Sequence, residues 1–152
     1  MDTLVATDTL LTLTGHLPGP ARYALADLQR LPRHELGATA IQCFSGRPVA
    51  ELQSLRGIRL VDVLAHAGFC EAPRAELKRC VIIGHGQDDY QAIFSWSELF
   101  NSPLGDAALI VYEQNGEPLA GHLGPLSLIS AADRRLGPRN LRQLHTIEAR
   151  RL

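Results

Sequence analysis

Ala107 to Tyr112 is the most apolar run in the chain, and Asn115-Gly116 follows it almost at once. The run predicts a strand, and Asn-Gly is the strongest short-range signal for a tight turn between strands. A chain built on such a reversal must supply further strands to cover it. Thr9 to Thr14 alternates Thr with Leu and predicts a half-buried strand, broken by Gly and Pro between Gly15 and Pro20. Leu36 to Cys43 predicts a strand that ends in the turn Ser45-Gly46-Arg47-Pro48. Leu77 to Ile83 predicts a central strand, Gly84 to Asp89 a loop and Tyr90 to Phe94 another strand. Leu126 to Ser130 and His145 to Ala149 complete the set.

Short helices fall between these strands. Leu25 to Leu31 predicts one, stopped by Pro32. Leu60, Val61, Val63 and Leu64 lie at helical spacing, with Gly68 placed to end that helix. Ser95 and Glu98 match a capping box, so a helix should start there and end by Asn101 to Gly105. Pro138 to Leu144 predicts a helical turn. Strands and helices mix without a repeating βαβ unit. The expectation is therefore an α+β fold, one domain over residues 1–152, with a mixed β-sheet and short helices at its margins.

Composition excludes several functions. With 45% hydrophobic and 20% charged residues, a chain of 152 residues can bury a core without disulfides. A net charge of −1 and scarce aromatics argue against a nucleic-acid partner. No apolar run reaches the roughly 18–20 residues of a membrane span. Met1-Asp2-Thr3 lacks the basic and apolar regions of a signal peptide, so the expected location is cytoplasmic, or periplasmic if a leader has been removed. Cys43, Cys70 and Cys80 form neither a disulfide framework nor a zinc pattern.

Cys43 ends an apolar strand and enters a Ser-Gly turn beside Arg47. A nearby cation favours the thiolate, which attacks or binds a soft or high-valent metal; a buried structural thiol is the plainer reading. Gly84-x-Gly86 lacks the Gly-Lys-Ser/Thr of a phosphate loop. His85, Asp88 and Asp89 lack a metal-ligand spacing and read as a polar loop. His122 sits in the Gly-bounded loop Gly121 to Pro125, where it either faces solvent or meets a ligand. A Cys–His hydrolase would pair Cys43 with His85 or His122, on residue type alone. Arg134, Arg135, Arg139, Arg142, Arg150 and Arg151 face only Asp133 and Glu148 near the C-terminus, as a solvated basic surface or an anion site.

Read in order, several segments resemble the sulfite oxidase family. They are Gln42-Cys43-Phe44-Ser45-Gly46, Gly57-Ile58-Arg59-Leu60, Asp88-Asp89-Tyr90, the ungapped Tyr112 to Leu119, His122 to Ser127, and Leu141 to Glu148. The resemblance implies a sulfite-oxidase-like molybdopterin-binding fold. It implies Cys43 as the molybdenum ligand, Tyr90 near the metal's oxo groups, His122 as a cofactor contact and Arg142 on the cofactor phosphate. Arg139 and Arg47 are candidates for the same anion, and Ser45 lies in the cysteine motif. The implied function is oxygen-atom transfer by a molybdenum-cofactor-dependent oxidoreductase, with a redox or regulatory protein as partner. The alternative is a non-catalytic pterin sensor or carrier holding a metal-free pterin, and a third reading is an empty scaffold. Four departures mark this chain: Ser127 where the family has arginine, Leu123 and Asp89 where it has glycine, and a short path from Phe44 to Arg56.

Overall fold

The computed structural model describes residues 8–36 and 54–152. The apolar run and its turn become β7 (Ala108–Gln114), a type of strand that needs cover on both sides. Ala108, Ile110 and Tyr112 face the larger core. Leu109 and Val111 face a second, smaller one. Burial on both faces is why this sequence runs apolar without alternating.

β7 centres an antiparallel sheet. It pairs with β4 (Leu55–Arg59), β8 (Glu117–Pro118) and β9 (Ser127–Ser130), and β4 carries β3 (Arg33–Leu36) at the edge. A second sheet covers the larger core in the order β2-β1-β10-β5-β6. Its members are β1 (Thr9–Gly15), β2 (Ala21–Ala24), β5 (Cys80–His85), β6 (Gln91–Ser95) and β10 (Thr146–Arg151). β1 and β10 run parallel and the other pairs antiparallel, so this sheet is the mixed one. The α+β expectation holds, with the strands shared between two sheets instead of one.

Among the described residues four short α-helices fill the margins: α1 (Leu25–Gln29), α2 (Leu60–His66), α3 (Arg74–Leu77) and α4 (Trp96–Phe100). α4 starts as its capping box dictates. The Glu98 N–H donates to Ser95 Oγ at 3.0 Å and the Ser95 N–H to the Glu98 carboxylate at 2.9 Å. Gly68 follows α2 with a φ of 91°, the left-handed turn that ends a helix. Leu77 closes α3 instead of opening a strand, so β5 begins three residues later than the β-branched run suggests. Gly84 and His85 extend β5 into what the sequence marks as loop.

One segment stitches the sheets together. Leu141 and Leu128 exchange two backbone hydrogen bonds of 2.8 Å, and the Leu144 N–H donates to the Leu126 carbonyl. One residue on, the His145 N–H donates to the His85 carbonyl of β5, while the His145 carbonyl accepts from Thr12 of β1. The glycines of Gly84-x-Gly86 serve this seam. A Cβ on Gly86 would stand 2.5 Å from the Arg142 carbonyl and 2.8 Å from Leu141, so only glycine lets the segment lie this close.

Candidate functional site

The turn at Asn115-Gly116 opens a cleft of about 460 Å³. Asn115 and Gly116 take φ of 54° and 80°, the left-handed pair of a two-residue hairpin loop. That register sets Gln114 opposite Glu117 across the hairpin. Both line the cleft with Asn115 and His122, and Leu123 closes it from the second core. Glu117 and His122 are exposed. The Gln114 Nε2 is buried and, among the described residues, has no hydrogen-bond partner.

Cys43, Ser45 and Arg47 lie outside the described residues, as does the strand expected up to Cys43 beyond Leu36. The chain re-enters the description at Ser54, and Ser54 is fastened to the same hairpin turn. Its carbonyl accepts from the Asn115 N–H at 2.8 Å, and its N–H donates to Asn115 Oδ1 at 3.3 Å. Cys70 and Cys80 are free thiols, and burial pushes the pKa of each up. Neither lines the cleft.

His122, Arg142 and Tyr90 sit on segments that touch in succession. The Gln143 N–H donates to the Leu123 carbonyl at 3.4 Å, next to His122. The Gln87 N–H donates to the Arg142 carbonyl at 3.0 Å, and the Gly86 N–H to the Tyr90 carbonyl at 3.0 Å. Left-handed backbone collects here on non-glycine residues: Asp88, Asp89 and Gln143 have φ of 59°, 60° and 52°. Such conformations persist only where surrounding structure holds them. Asp89 keeps a backbone that glycine would adopt freely, because aspartate tolerates this region better than most side chains.

Arg142 is exposed, and among the described residues no hydrogen bond or ion pair engages its guanidinium. Tyr90 is 46% exposed, and its hydroxyl donates to the Pro138 carbonyl. It does not line the His122 cleft. Arg139 stands differently. It donates to Asp133 at 2.9 and 2.7 Å and to the Ile93 carbonyl at 3.0 Å, pairs with Glu98 at 3.1 Å, and lies 4.4 Å from the Phe94 ring centroid. An incoming phosphate would have to displace two carboxylates from it. Arg150 is likewise paired with Glu148, so the basic C-terminal stretch is partly neutralised from within.

The other candidates resolve into packing and pairing. His85 pairs with Glu148 at 3.1 Å. Among the described residues no group of three His, Cys, Asp or Glu side chains could hold a metal ion. Ser127 is fully buried in β9, where its hydroxyl donates to the Leu123 carbonyl. It holds the turn beneath His122 instead of reaching an anion. Among the described residues no helix is long and apolar enough to cross a membrane. Gln114 and Glu117 were not singled out by residue type. Their signal lay in flanking a two-residue turn, which puts both side chains on one face.

The sequence model of a family described as the oxidoreductase molybdopterin binding domain matches residues 3–150. The fold is similar to that of the sulfane dehydrogenase SoxCD from Paracoccus pantotrophus, with a TM-score of 0.64 and 18% identity. The match covers 92% of this chain and 37% of that one. No curated protein matches this sequence.

Proposed function

Since the chain belongs to the family of oxidoreductase molybdopterin-binding domains, we propose that it holds the molybdenum cofactor with Cys43 as the protein ligand to the metal. The donor set fits a polar cofactor. The cleft is lined by an imidazole, a carboxylate and Gln114, whose buried amide nitrogen has no partner among the described residues, and Arg142, whose guanidinium has none among them either, stands one contact away. A cleft of this size falls in the usual range for small-molecule sites. When bound, the cofactor supplies two-electron redox chemistry with transfer of an oxygen atom.

The chain's own residues would bind and orient. Arg142 would take the cofactor phosphate, since a free guanidinium matches phosphate oxygens in bidentate fashion. His122 would donate to the cofactor from the rim of the cleft. Ser45 and Arg47, beside Cys43 in sequence, would steady the thiolate and the anion. Tyr90 would offer its hydroxyl to a substrate oxygen in exchange for the Pro138 carbonyl. Arg139 would act by bracing the turn against which Tyr90 rests. A redox protein partner would accept the electrons. The observation that carries this reading is the contact chain from the cleft through Leu123, Gln143 and Arg142 to the loop before Tyr90.

Expression in cells that make the cofactor, followed by elemental analysis, tests it. Near-stoichiometric molybdenum in the wild type and its loss in Cys43→Ser is the expected result. Fluorescent pterin without molybdenum would turn the reading to a pterin carrier, and absence of both would end it.

A further inference from the structure

Among the described residues, the lining of the cleft beside the hairpin includes a carboxylate and no lysine or arginine. A phosphate placed there would meet the Glu117 charge with no cation among those residues to offset it. A neutral heterocycle with both donors and acceptors along one edge meets no such penalty. Gln114 and Glu117 are register partners across the tight turn, so their side chains project from one face with Cβ atoms about 5 Å apart. One offers an amide N–H donor that has no other partner among the described residues. The other offers two carboxylate acceptors, and no hydrogen bond or ion pair occupies them among the described residues.

We infer that Gln114 and Glu117 read the 2-amino-4-oxopyrimidine edge of the pterin, with Gln114 donating to the 4-oxo group and Glu117 accepting from the ring N–H and the 2-amino group. This rests on the proposed cofactor reading and adds the direction in which the cofactor lies. Its ring enters the hairpin cleft, His122 stands at the midpoint, and its phosphate points along the Leu123–Gln143 contact toward Arg142. A buried amide donor left unpaired costs free energy, and the ring's oxo group relieves that cost on binding. A ring that carries an oxo group in place of the 2-amino group would set oxygen against the Glu117 carboxylate and be rejected. Charged hydrogen bonds of this kind decide specificity by factors of ten or more.

The test uses the whole chain and two fluorescent probes, 6-hydroxymethylpterin and its 2,4-dioxo counterpart, titrated against the wild type, Glu117→Gln and Gln114→Leu. The wild type should prefer the 2-amino ring by at least about tenfold. Glu117→Gln should abolish or reverse that preference, because a carboxamide can donate to a 2-oxo group. Gln114→Leu should weaken both rings alike while keeping the preference, and inorganic phosphate should not compete. Glu117 is exposed, so its substitution leaves the core intact. An equal affinity of wild type for the two rings, or an unchanged preference in Glu117→Gln, overturns the assignment. If the wild type still takes up molybdenum in that case, the cofactor reading stands without it. If the wild type binds neither ring and takes up no cofactor, both fall.

Discussion

Arg139 shows how a residue type can suggest one task and its surroundings set another. Its side chain is 18% exposed and that of its main partner Asp133 14%, so their pair is shielded from solvent. The Arg139 hydrogen bonds hold the Asp133 carboxyl below the usual carboxylate range, with Ser130 donating as well. A depressed folded value means the charged, paired form contributes stability in full above the ordinary carboxylate pKa. That contribution is lost as pH falls through the folded value. Asp133→Asn should therefore cost roughly 2 kcal/mol near neutrality. The gap to wild type should close as pH drops below about 4. Urea unfolding across that range measures it; a gap independent of pH would show that the pair is not the cause.

At the scale of elements, β4 depends on one position. A register shift falls between Arg56 and Gly57, where β4 bends against β7. A Cβ on Gly57 would stand 2.0 Å from the Ile110 carbonyl oxygen, a main-chain atom held in the sheet. Gly57→Ala should cost roughly 3 kcal/mol or more, visible as a lowered denaturation midpoint. The elements legible in sequence were those set by local chemistry: α4 by its capping box, the hairpin by Asn-Gly, and β7 by its unbroken apolar run. The strands β2, β3 and β4 were not legible. They are short, carry Arg and His among few apolar residues, and exist because a partner strand stands beside them. The site divides in the same way. The order of motifs brought His122, Arg142 and Tyr90 to adjoining segments, whereas the partners of Arg139 come from Asp133 and Glu98, whose approach no local pattern records. Gly84-x-Gly86 carried a phosphate-loop appearance, and its glycines answer to Leu128, Leu141 and Leu144 instead.

For the whole molecule, the seam through Leu141 to His145 matters most. Leu141 is fully buried and bonds to β9 of one sheet while lying on β5 of the other. β7 adds to the coupling by sending side chains into both cores. The two sheets should unfold together. Far-ultraviolet dichroism reports all strands, and the single tryptophan, Trp96, reports the larger core. Their thermal transitions should coincide in the wild type. Leu141→Ala should lower both by the same amount, with a loss of about 2–5 kcal/mol. Separated midpoints would show the sheets to be independent.

The parallel pairing of β1 with β10 sets the order in which the chain can fold. Thr12 pairs with Thr146 and Leu13 with Ile147, so the strand nearest the start joins one that follows every other described strand. β10 also stands between β1 and β5, which have no direct pairing of their own. Closing so long a loop is entropically costly, and non-local strand pairing slows folding. On the ribosome, the β1–β2 hairpin must therefore wait without its sheet until nearly the whole described chain has been synthesised. The antiparallel sheet around β7, whose strands all precede β10, can assemble during that wait. The half of the molecule that carries the hairpin cleft is then the half that is complete first.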